Sequence, residues 1–386
     1  MDFTFSSEQT QLADALGRYL TQEYDFESRK KAIASTGGFS PAAYAQLAEL
    51  GVTALPMPED ADGFGGNASD LVLVMQELGK HIVVEPVIST LIAAEFIKRS
   101  TLPSRIETLK GVALGATRMA CAFGESQSRY ELADVLTCAR QKGSGYVISG
   151  KKPVALHAGQ ADLLVVSARL SGQQRDQDGI GLFVVPANAR GVHLRDYRTI
   201  DNLRAADVTL TDVEVEAGAL ILASAWPLID AVTDYGVTLL CAEAVGAMDK
   251  LLALTVEYTK TRKQFGQPIA KFQALQHRMV EMFMHVEQAR SMAYLAAVKV
   301  DSSDVAERRR AVSAAKVRIG QAAKYVGQEA IQLHGGMGVT NEMPAAHYFK
   351  RLTMFEITLG DIDHHLERFI ACPQTEAARV PLRQAA

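Results

Sequence analysis

Apolar positions in the first hundred residues recur at the spacing of α-helices. The recurring positions include Leu12, Leu16, Tyr19, Leu71, Val74, Met75 and Leu78. Polar residues from Ser6 onward resemble a helix start, and Pro41 is typical of the first turn of a further helix. The pattern predicts an α-helical N-terminal domain over residues 1–115.

Beyond this region the apolar runs become shorter and take the character of strands. They lie at residues 146–148, 163–166, 181–185, 192–194 and 208–210, with glycines in the intervening turns. Short strands at this spacing are typical of an antiparallel barrel or sandwich. Residues 171–178 are too polar for a core element and predict an exposed hairpin loop. We expect a middle β-barrel domain over residues 116–222.

The last part of the chain returns to helical spacing, now over longer stretches. One apolar stripe includes Leu275, Met279, Met282, Phe283 and Val286, and a second, alanine-rich stripe includes Val312, Ala315, Ile319, Ala322, Ala323 and Val326. Small side chains let antiparallel helices approach closely. The prediction is a C-terminal four-helix bundle over residues 223–386, in a protein that is mainly α with a β domain.

Composition excludes several classes of function. Among 386 residues, 48% are hydrophobic, the net charge is -4 and the acids and bases are interspersed, so no nucleic-acid-binding surface is expected. The four cysteines are widely separated, which argues against a zinc site and against a disulfide framework. No apolar run reaches the length of a membrane span and no targeting segment is recognisable. We expect a cytoplasmic protein without a membrane span.

The first of two motifs with chemical content spans residues 258–269 and contains Arg262, Phe265 and Gly266. A guanidinium pairs with phosphate oxygens in a bidentate way, and an aromatic ring in a glycine-containing turn can cover a heterocycle. The segment is therefore a candidate diphosphate-binding turn. The alternative is an ordinary helix end, stopped by Gly266 and Pro268, whose basic residues interact with the helix dipole.

The second motif is the glycine-rich segment that begins at Gln332 and includes Gly335, Gly336 and Gly338. Adjacent glycines allow backbone amides to approach a phosphate or a ribose, and the preceding glutamine can bind the same ligand. Taken alone, the pattern is also explained by a plain helix-ending turn.

The two motifs, in this order along a helix–barrel–helix chain, resemble the acyl-CoA dehydrogenase family. The resemblance extends over nearly the whole chain. Further landmarks are Asp2-Phe3 with Glu8-Gln9, Pro58-Glu59 with Gly65-Gly66, and Gly150-Lys151-Lys152.

The resemblance implies a dimer or tetramer that binds FAD at a subunit interface. It assigns contacts with the FAD of the neighbouring subunit to Arg262, Gln264, Phe265, Gln273, Gln332, Gly335 and Gly336. Ser126 supplies a hydroxyl on the flavin side, and Asp234 matches a residue that contacts substrate. The implied reaction is α,β-dehydrogenation of an acyl-CoA, with electron-transferring flavoprotein as the acceptor.

The chain departs from the family at the catalytic base. The usual glutamate position, in the loop before the last helix, holds Leu359, and the less common position on an earlier helix holds Gly236. The remaining candidate base is Asp361, whose pKa a dry pocket would raise. Its alternative role is to cap the following helix. His364 and His365 point in different directions from a helix, so no metal site is predicted.

The flavin side also departs from the family, with Val154, Ala155 and Leu156 in place of a tryptophan-isoleucine-threonine strand. This combination resembles the small subunits of heteromeric, pimeloyl-CoA dehydrogenase-like enzymes. The resemblance implies a chain that completes the FAD site of a paralogous subunit, which carries the base, and a dicarboxylyl, cyclic or side-chain acyl-CoA as substrate. Two alternatives remain: a non-catalytic structural partner, and an acyl-CoA oxidase or flavin monooxygenase on the same fold.

Overall fold

The structure is a computed structural model that describes residues 5–372. The Asp2-Phe3 landmark lies outside the described residues, as do the outer ends of the two terminal domains predicted from the sequence. All structural statements below concern the described part of the chain.

Six helices build the N-terminal region. They are α1 (Ser7–Glu23), α2 (Phe26–Ala34), α3 (Pro41–Glu49), α4 (Ala68–Lys80), α5 (Val87–Lys98) and α6 (Arg105–Ala113). The predicted start of α1 is confirmed, because Ser6 and Gln9 each accept a hydrogen bond from the other's backbone amide in a capping box. Pro41 is the first residue of α3, as its fixed φ angle favours.

Eight strands form one sheet in the middle of the chain. They are β1 (Met119–Ala122), β2 (Cys138–Lys142), β3 (Gly145–Leu156), β4 (Leu163–Arg169), β5 (Ile180–Pro186), β6 (Val192–Arg198), β7 (Arg204–Val215) and β8 (Leu220–Leu222). Their order is β6-β7-β3-β2-β4-β5-β8, and β1 lies parallel to β4. Each predicted apolar run lies within a strand, and the polar residues 171–178 form the exposed loop of the β4–β5 hairpin.

The prediction of a closed barrel needs correction. Within residues 5–372, no backbone pairing joins the two ends of the sheet, β6 and β8. The strand β8 has three residues and pairs with β5 alone, while β6 exposes most of its side chains. Closure would require these two strands to pair along their length, and the short β8 leaves too few backbone groups for that.

Five helices follow the sheet. They are α7 (Trp226–Thr261), α8 (Gln273–Lys299), α9 (Val305–His334), α10 (Pro344–Ile357) and α11 (Ile362–Ala371), with a small hairpin of β9 (Lys263–Gln264) and β10 (Gln267–Pro268) between α7 and α8. The helices α7 to α10 pack together and bury the alanine-rich stripe of α9, as predicted, and α11 packs on α9.

Two glycines allow α4 and α7 to cross in direct contact. A Cβ atom on Gly246 would collide with the carbonyl oxygen of Gln76, and one on Gly79 would collide with the carbonyl oxygen of Glu243. Because no larger side chain fits, the backbones approach closely at this point. The crossing joins the N-terminal helices to the C-terminal bundle beside the cavity described next.

Candidate active site

A cavity of about 390 Å³ lies where the three regions of the chain meet. Its walls come from the α4–α5 segment, the β1–β2 loop, the end of β3, and the helices α7 and α10. Most of the lining is apolar, and the volume falls within the range of small-molecule sites, about 300–1,000 Å³.

The two positions where the resemblance implies a base lie next to each other at the edge of this cavity. A Cβ atom on Gly236 would lie 3.0 Å from Leu359 Cδ1 and 3.0 Å from Ile92 Cδ1. Leu359 and Ile92 both line the cavity. Although positions 236 and 359 are 123 residues apart in sequence, they are neighbours in the fold. The space next to Gly236 is filled by aliphatic atoms of Leu359 and Ile92. No group at either position can accept a proton.

Buried polar groups hold the loop that carries Leu359. The Lys316 ammonium donates hydrogen bonds to the carbonyl oxygens of Phe355 and, at 2.9 Å, Thr358. The His365 ring nitrogen Nε2 lies 2.9 Å from the carbonyl oxygen of Leu359. Burial lowers the pKa of Lys316 to about 8 and that of His365 to about 3. His365 is therefore neutral near pH 7, and its Nε2–H donates to Leu359.

Acidification should expose the contribution of His365 to stability. The pKa of His365 is lowered to about 3 in the folded chain, whereas in the unfolded chain it is about 6.5. Between about pH 6.5 and pH 3 the His365 ring is therefore protonated in the unfolded chain but not in the folded chain. The free energy of unfolding should thus decrease as the pH falls below about 6.5, by up to about 1.4 kcal/mol per pH unit for one proton. Chemical denaturation of the wild type and of His365→Gln between pH 7 and pH 5 should show a shallower slope in the variant. The exposed control His193→Gln should keep the wild-type slope; equal slopes in all three proteins would contradict the assignment.

Asp361 takes the capping role that the sequence left open. Its carboxylate accepts a hydrogen bond from the His364 amide at 2.9 Å and pairs with Arg129 Nη2 at 2.7 Å. Burial pushes the pKa of Asp361 upward, but the His364 amide and the Arg129 side chain outweigh it and the pKa is lowered. The carboxylate is thereby made a weaker base, and Asp361 is not part of the cavity lining. Its role as catalytic base stays a prediction.

Asp234 lies in a buried ion-pair network rather than on the cavity wall. Its side chain is fully buried and pairs with Arg308 Nε at 2.8 Å and Arg368 Nη1 at 2.5 Å. Asp230, one turn earlier on α7, pairs with both arginines. The neighbouring Thr233 does line the cavity. The predicted contact between Asp234 and substrate therefore stays a prediction, and its visible contacts join α7, α9 and α11.

A buried ion pair shapes the cavity wall formed by the β1–β2 loop. Glu125 Oε1 lies 2.7 Å from Lys152 Nζ, and the carboxylate also accepts hydrogen bonds from the amides of Leu136 and Thr137. Although burial raises the pKa of Glu125, Lys152, the Gln127 side chain and the Thr137 amide lower it to about 2. The predicted flavin-side residue Ser126 follows directly and is exposed. The sequence indicated Lys152 only as part of a family landmark, without its partner.

The arginine motif forms an exposed hairpin at the end of α7. Phe265 and Gly266 occupy the turn with φ angles of 53° and 76°, and the Phe265 side chain is 89% exposed. A non-glycine residue in the left-handed region is uncommon, so the backbone of this turn holds the Phe265 ring in an unusual, exposed position. Arg262, Gln264 and Gln273 are exposed on the same hairpin or at its junction with α8.

The glycine motif ends α9 beside this hairpin. The His334 ring stacks on Tyr258 with centroids 4.3 Å apart, and the Tyr258 hydroxyl donates to the His334 carbonyl oxygen at 3.3 Å. The carbonyl oxygen of Tyr258 in turn accepts from the Arg262 amide. Gln332 is exposed, and nothing lies within 4 Å of a Cβ atom placed on Gly335 or Gly336. The structure therefore brings both motifs together, with exposed glycines at the end of α9.

Neither motif lines the cavity of its own chain. The predicted cofactor residues of the hairpin and of the glycine segment are all absent from the cavity lining described above. If they contact a cofactor that enters such a cavity, they must do so in another subunit. The resemblance implies contacts of that kind between subunits, and they stay a prediction.

The cavity also has a polar floor, in which Glu85, Ser89 and Arg351 were missed by the sequence analysis. We use this name for Glu85, Ser89, His157, Glu243 and Arg351, which all line the cavity. Arg351 is held by all three regions: its Nη1 lies 2.5 Å from Glu243, its Nε 2.9 Å from Asp201 in the β6–β7 turn, and its Nη2 donates to the carbonyl oxygen of Val83. A signal for Glu85 was present, since it is the single charged residue in the apolar run 82–88.

Two further classes of site were searched within the described chain. Residues 5–372 contain no group of three or more His, Cys, Asp or Glu side chains placed to hold a metal ion. In the same range, no helix combines the length and the apolar character needed to cross a bilayer.

The fold and the cavity correspond to a known family. Models of the N-terminal, middle and C-terminal domains of acyl-CoA dehydrogenase match residues 6–101, 120–213 and 226–371 in that order. Each match lies inside one of the three domains predicted above, whose end points remain predictions. The chain belongs to the acyl-CoA dehydrogenase family.

Individual relatives are distant but span nearly the full length. The chain is 26% identical to the probable acyl-CoA dehydrogenase YngJ of Bacillus subtilis, covering 97% of this chain and 99% of that protein. It is 28% identical to a variant of the Tcur3481-Tcur3483 steroid ACAD, with a TM-score of 0.85 and coverage of 94% and 96%. The ChsE4-ChsE5 complex from Mycobacterium tuberculosis shares the fold at 22% identity, with a TM-score of 0.87 and coverage of 97% and 100%.

Proposed function

We propose that this chain is one subunit of an FAD-dependent acyl-CoA dehydrogenase, and that it completes the FAD site of a partner subunit, which supplies the catalytic base. One observation carries the proposal. Positions 236 and 359 converge on the cavity, and both lack a carboxylate there. A chain with an intact fold and exposed cofactor motifs, but without either base, needs a partner for the proton transfer.

The residues on the exposed surface fit the parts of FAD outside the flavin ring. Arg262 offers a guanidinium for the diphosphate, and the exposed Gly335 and Gly336, which carry no side chain, leave room for a ribose or phosphate to approach the backbone. Phe265 offers an uncovered ring for stacking. When bound, FAD accepts the hydride from the β carbon of the acyl group while a base takes the α proton.

In the described part of the chain three carboxylates line the cavity; two of them have a cationic partner in this chain, and the third, Glu85, accepts a hydrogen bond from the Ser40 amide. Glu125 is paired with Lys152, and Glu243 is paired with Arg351. Both pairs are buried, and removing either carboxylate from its partner would leave an uncompensated charge. These contacts favour structural roles for the two glutamates and support the assignment of the base to another subunit.

The comparison with the Tcur3481-Tcur3483 steroid ACAD supports a two-component assembly, because the name of that enzyme joins two components. We propose the same arrangement for this chain, with an acyl-CoA as substrate and electron-transferring flavoprotein as acceptor.

Purification with and without a partner tests the proposal directly. The chain should be expressed alone and together with a paralogous acyl-CoA dehydrogenase of the same organism that has a glutamate at the position of Leu359. Flavin absorbance, native mass and dehydrogenation of acyl-CoA should be measured for both samples. For the chain alone we expect little bound FAD and no turnover. For the co-purified complex we expect bound FAD and turnover of acyl-CoA. Stoichiometric FAD with full turnover in the isolated chain would contradict the proposal.

The hairpin arginine should control how much FAD the assembly retains. Replacing Arg262 with alanine removes a charge-assisted pair to phosphate, a contact of about 1.5–3 kcal/mol, so the Kd for FAD should increase by about 10- to 100-fold. Arg262→Lys should recover part of this loss, because a lysine keeps the charge but not the planar fork. FAD titration of the apoprotein complex by fluorescence gives the three values. The exposed Lys260→Ala, two residues away, is the control; an equal loss there would mean a general charge effect.

A further inference from the structure

We infer that the polar floor of the cavity recognises a neutral oxygen on the acyl group, a hydroxyl or a keto oxygen distant from the thioester, and that Ser89 is the side chain that binds it. This inference rests on the proposed function, since it assumes that an acyl-CoA enters the cavity. It adds the chemical class of the substrate.

The distance between the reacting end and the polar floor follows from two helices. On α5, Ile92 lies at the aliphatic end beside position 236, and Ser89 is almost one turn earlier. On α7, Glu243 is seven residues beyond Gly236. With a rise of 1.5 Å per residue, the polar floor begins about 5 Å from the reacting end and extends to about 10 Å from it. An oxygen several carbons beyond the thioester would reach this region.

Ser89 is the floor residue that is only partly buried, and its hydroxyl keeps hydrogen-bonding capacity for a ligand, whereas the atoms Glu85 Oε2, His157 Nε2 and Arg351 Nε, which have no hydrogen-bond partner within residues 5–372, are buried. The Ser89 hydroxyl lies 2.7 Å from His157 Nδ1. Burial, with a contribution from Arg351, lowers the pKa of His157 to about 4, so the ring is neutral near pH 7. A hydroxyl has one donor and two acceptor positions. The contact with His157 uses one of them, and a ligand hydroxyl or carbonyl can use another.

The charges around the floor exclude a second carboxylate on the substrate. Arg351 is already ion-paired with both Asp201 and Glu243, and its Nη2 donates to the Val83 carbonyl oxygen, so two carboxylates balance its single positive charge. Glu85 is buried close by, and its pKa is raised by that burial. An added carboxylate would lose its hydration next to existing carboxylates without gaining a cation. A neutral oxygen avoids this cost, which distinguishes the inference from the dicarboxylyl substrate that the subfamily resemblance implies.

Binding of three acyl-CoA probes of equal chain length tests the inference. Octanoyl-CoA, 8-hydroxyoctanoyl-CoA and the mono-CoA thioester of octanedioic acid should be titrated calorimetrically into the purified FAD-loaded complex. We expect 8-hydroxyoctanoyl-CoA to bind about fivefold to tenfold more tightly than octanoyl-CoA, as one added hydrogen bond predicts, and the dicarboxylic probe to bind most weakly. A 7-keto analogue of octanoyl-CoA separates recognition of a hydroxyl from recognition of a carbonyl.

Ser89→Ala should weaken binding of the hydroxylated probe more than binding of octanoyl-CoA, so that the Kd values of the two probes become similar. Ser100→Ala, just past the end of the same helix and away from the cavity lining, is the matched control and should keep the preference. Equal affinity of wild type for the three probes, tighter binding of the dicarboxylic probe, or equal weakening of all probes by Ser89→Ala would overturn the inference alone. Failure of every acyl-CoA to bind would overturn the proposed function and the inference with it.

Discussion

Replacing Lys152 with methionine is expected to lower the free energy of unfolding by about 3–5 kcal/mol. Lys152 and Glu125 are both buried, with 0% and 4% of their side chains exposed, so the variant leaves the glutamate without its counter-ion. The same change should disorder the β1–β2 loop, since Glu125 holds the amides of Leu136 and Thr137. Urea denaturation followed by circular dichroism measures the loss.

Two further variants separate this pair from a general effect of removing lysine. Lys151 is the exposed neighbour in the sequence, and Lys151→Met should change stability by less than about 0.5 kcal/mol. In the double variant Lys152→Met with Glu125→Gln, part of the lost stability should return, because the buried charge is gone while an acceptor for the amides remains. A double variant that is less stable than Lys152→Met would argue against charge burial as the cause.

Asp234→Asn should lower the free energy of unfolding by a similar amount, about 3–5 kcal/mol, without a comparable decrease in the affinity for acyl-CoA. Asp234 is fully buried between Arg308 and Arg368, and the neutral amide leaves Asp230 to balance both guanidiniums. Thermal unfolding and calorimetric titration of octanoyl-CoA, carried out below the transition, give the two quantities.

The control for Asp234 lies on the same helix. Asp249 pairs with Arg290 near the surface, where 26% and 23% of the two side chains are exposed, and Asp249→Asn should cost less than about 1 kcal/mol. A stable Asp234→Asn variant that binds octanoyl-CoA weakly would instead support direct contact of Asp234 with substrate.

The sequence was most informative where short-range physics decides the structure. The start of α1 depends on Ser6 and Gln9, three residues apart, and both were visible as a helix start. The strands likewise followed from local apolar runs. Closure of the sheet was predicted wrongly, because pairing of β6 with β8 depends on the length of a strand at the far end of the domain.

At the site, the resemblance identified two positions for the missing base, and the structure shows that they share one place in the cavity. The polar floor could not be found in the same way. Arg351 and Glu243 are separated by 108 residues, and nothing in the local pattern of either residue indicates its partner. Asp234 shows the same limit, since its partner Arg368 is 134 residues away. The chemistry of a buried charge is set by contacts that only the folded chain brings together.

Arg351 has a consequence for how the chain melts. Its guanidinium depends on atoms from the α4–α5 segment, the β6–β7 turn and α7 at once. If any one of these regions unfolded, the buried Arg351 guanidinium would lose one of its partners. The helical and sheet regions are therefore thermodynamically coupled and form a single cooperative folding unit. The three domains should therefore lose their structure in one transition rather than in succession.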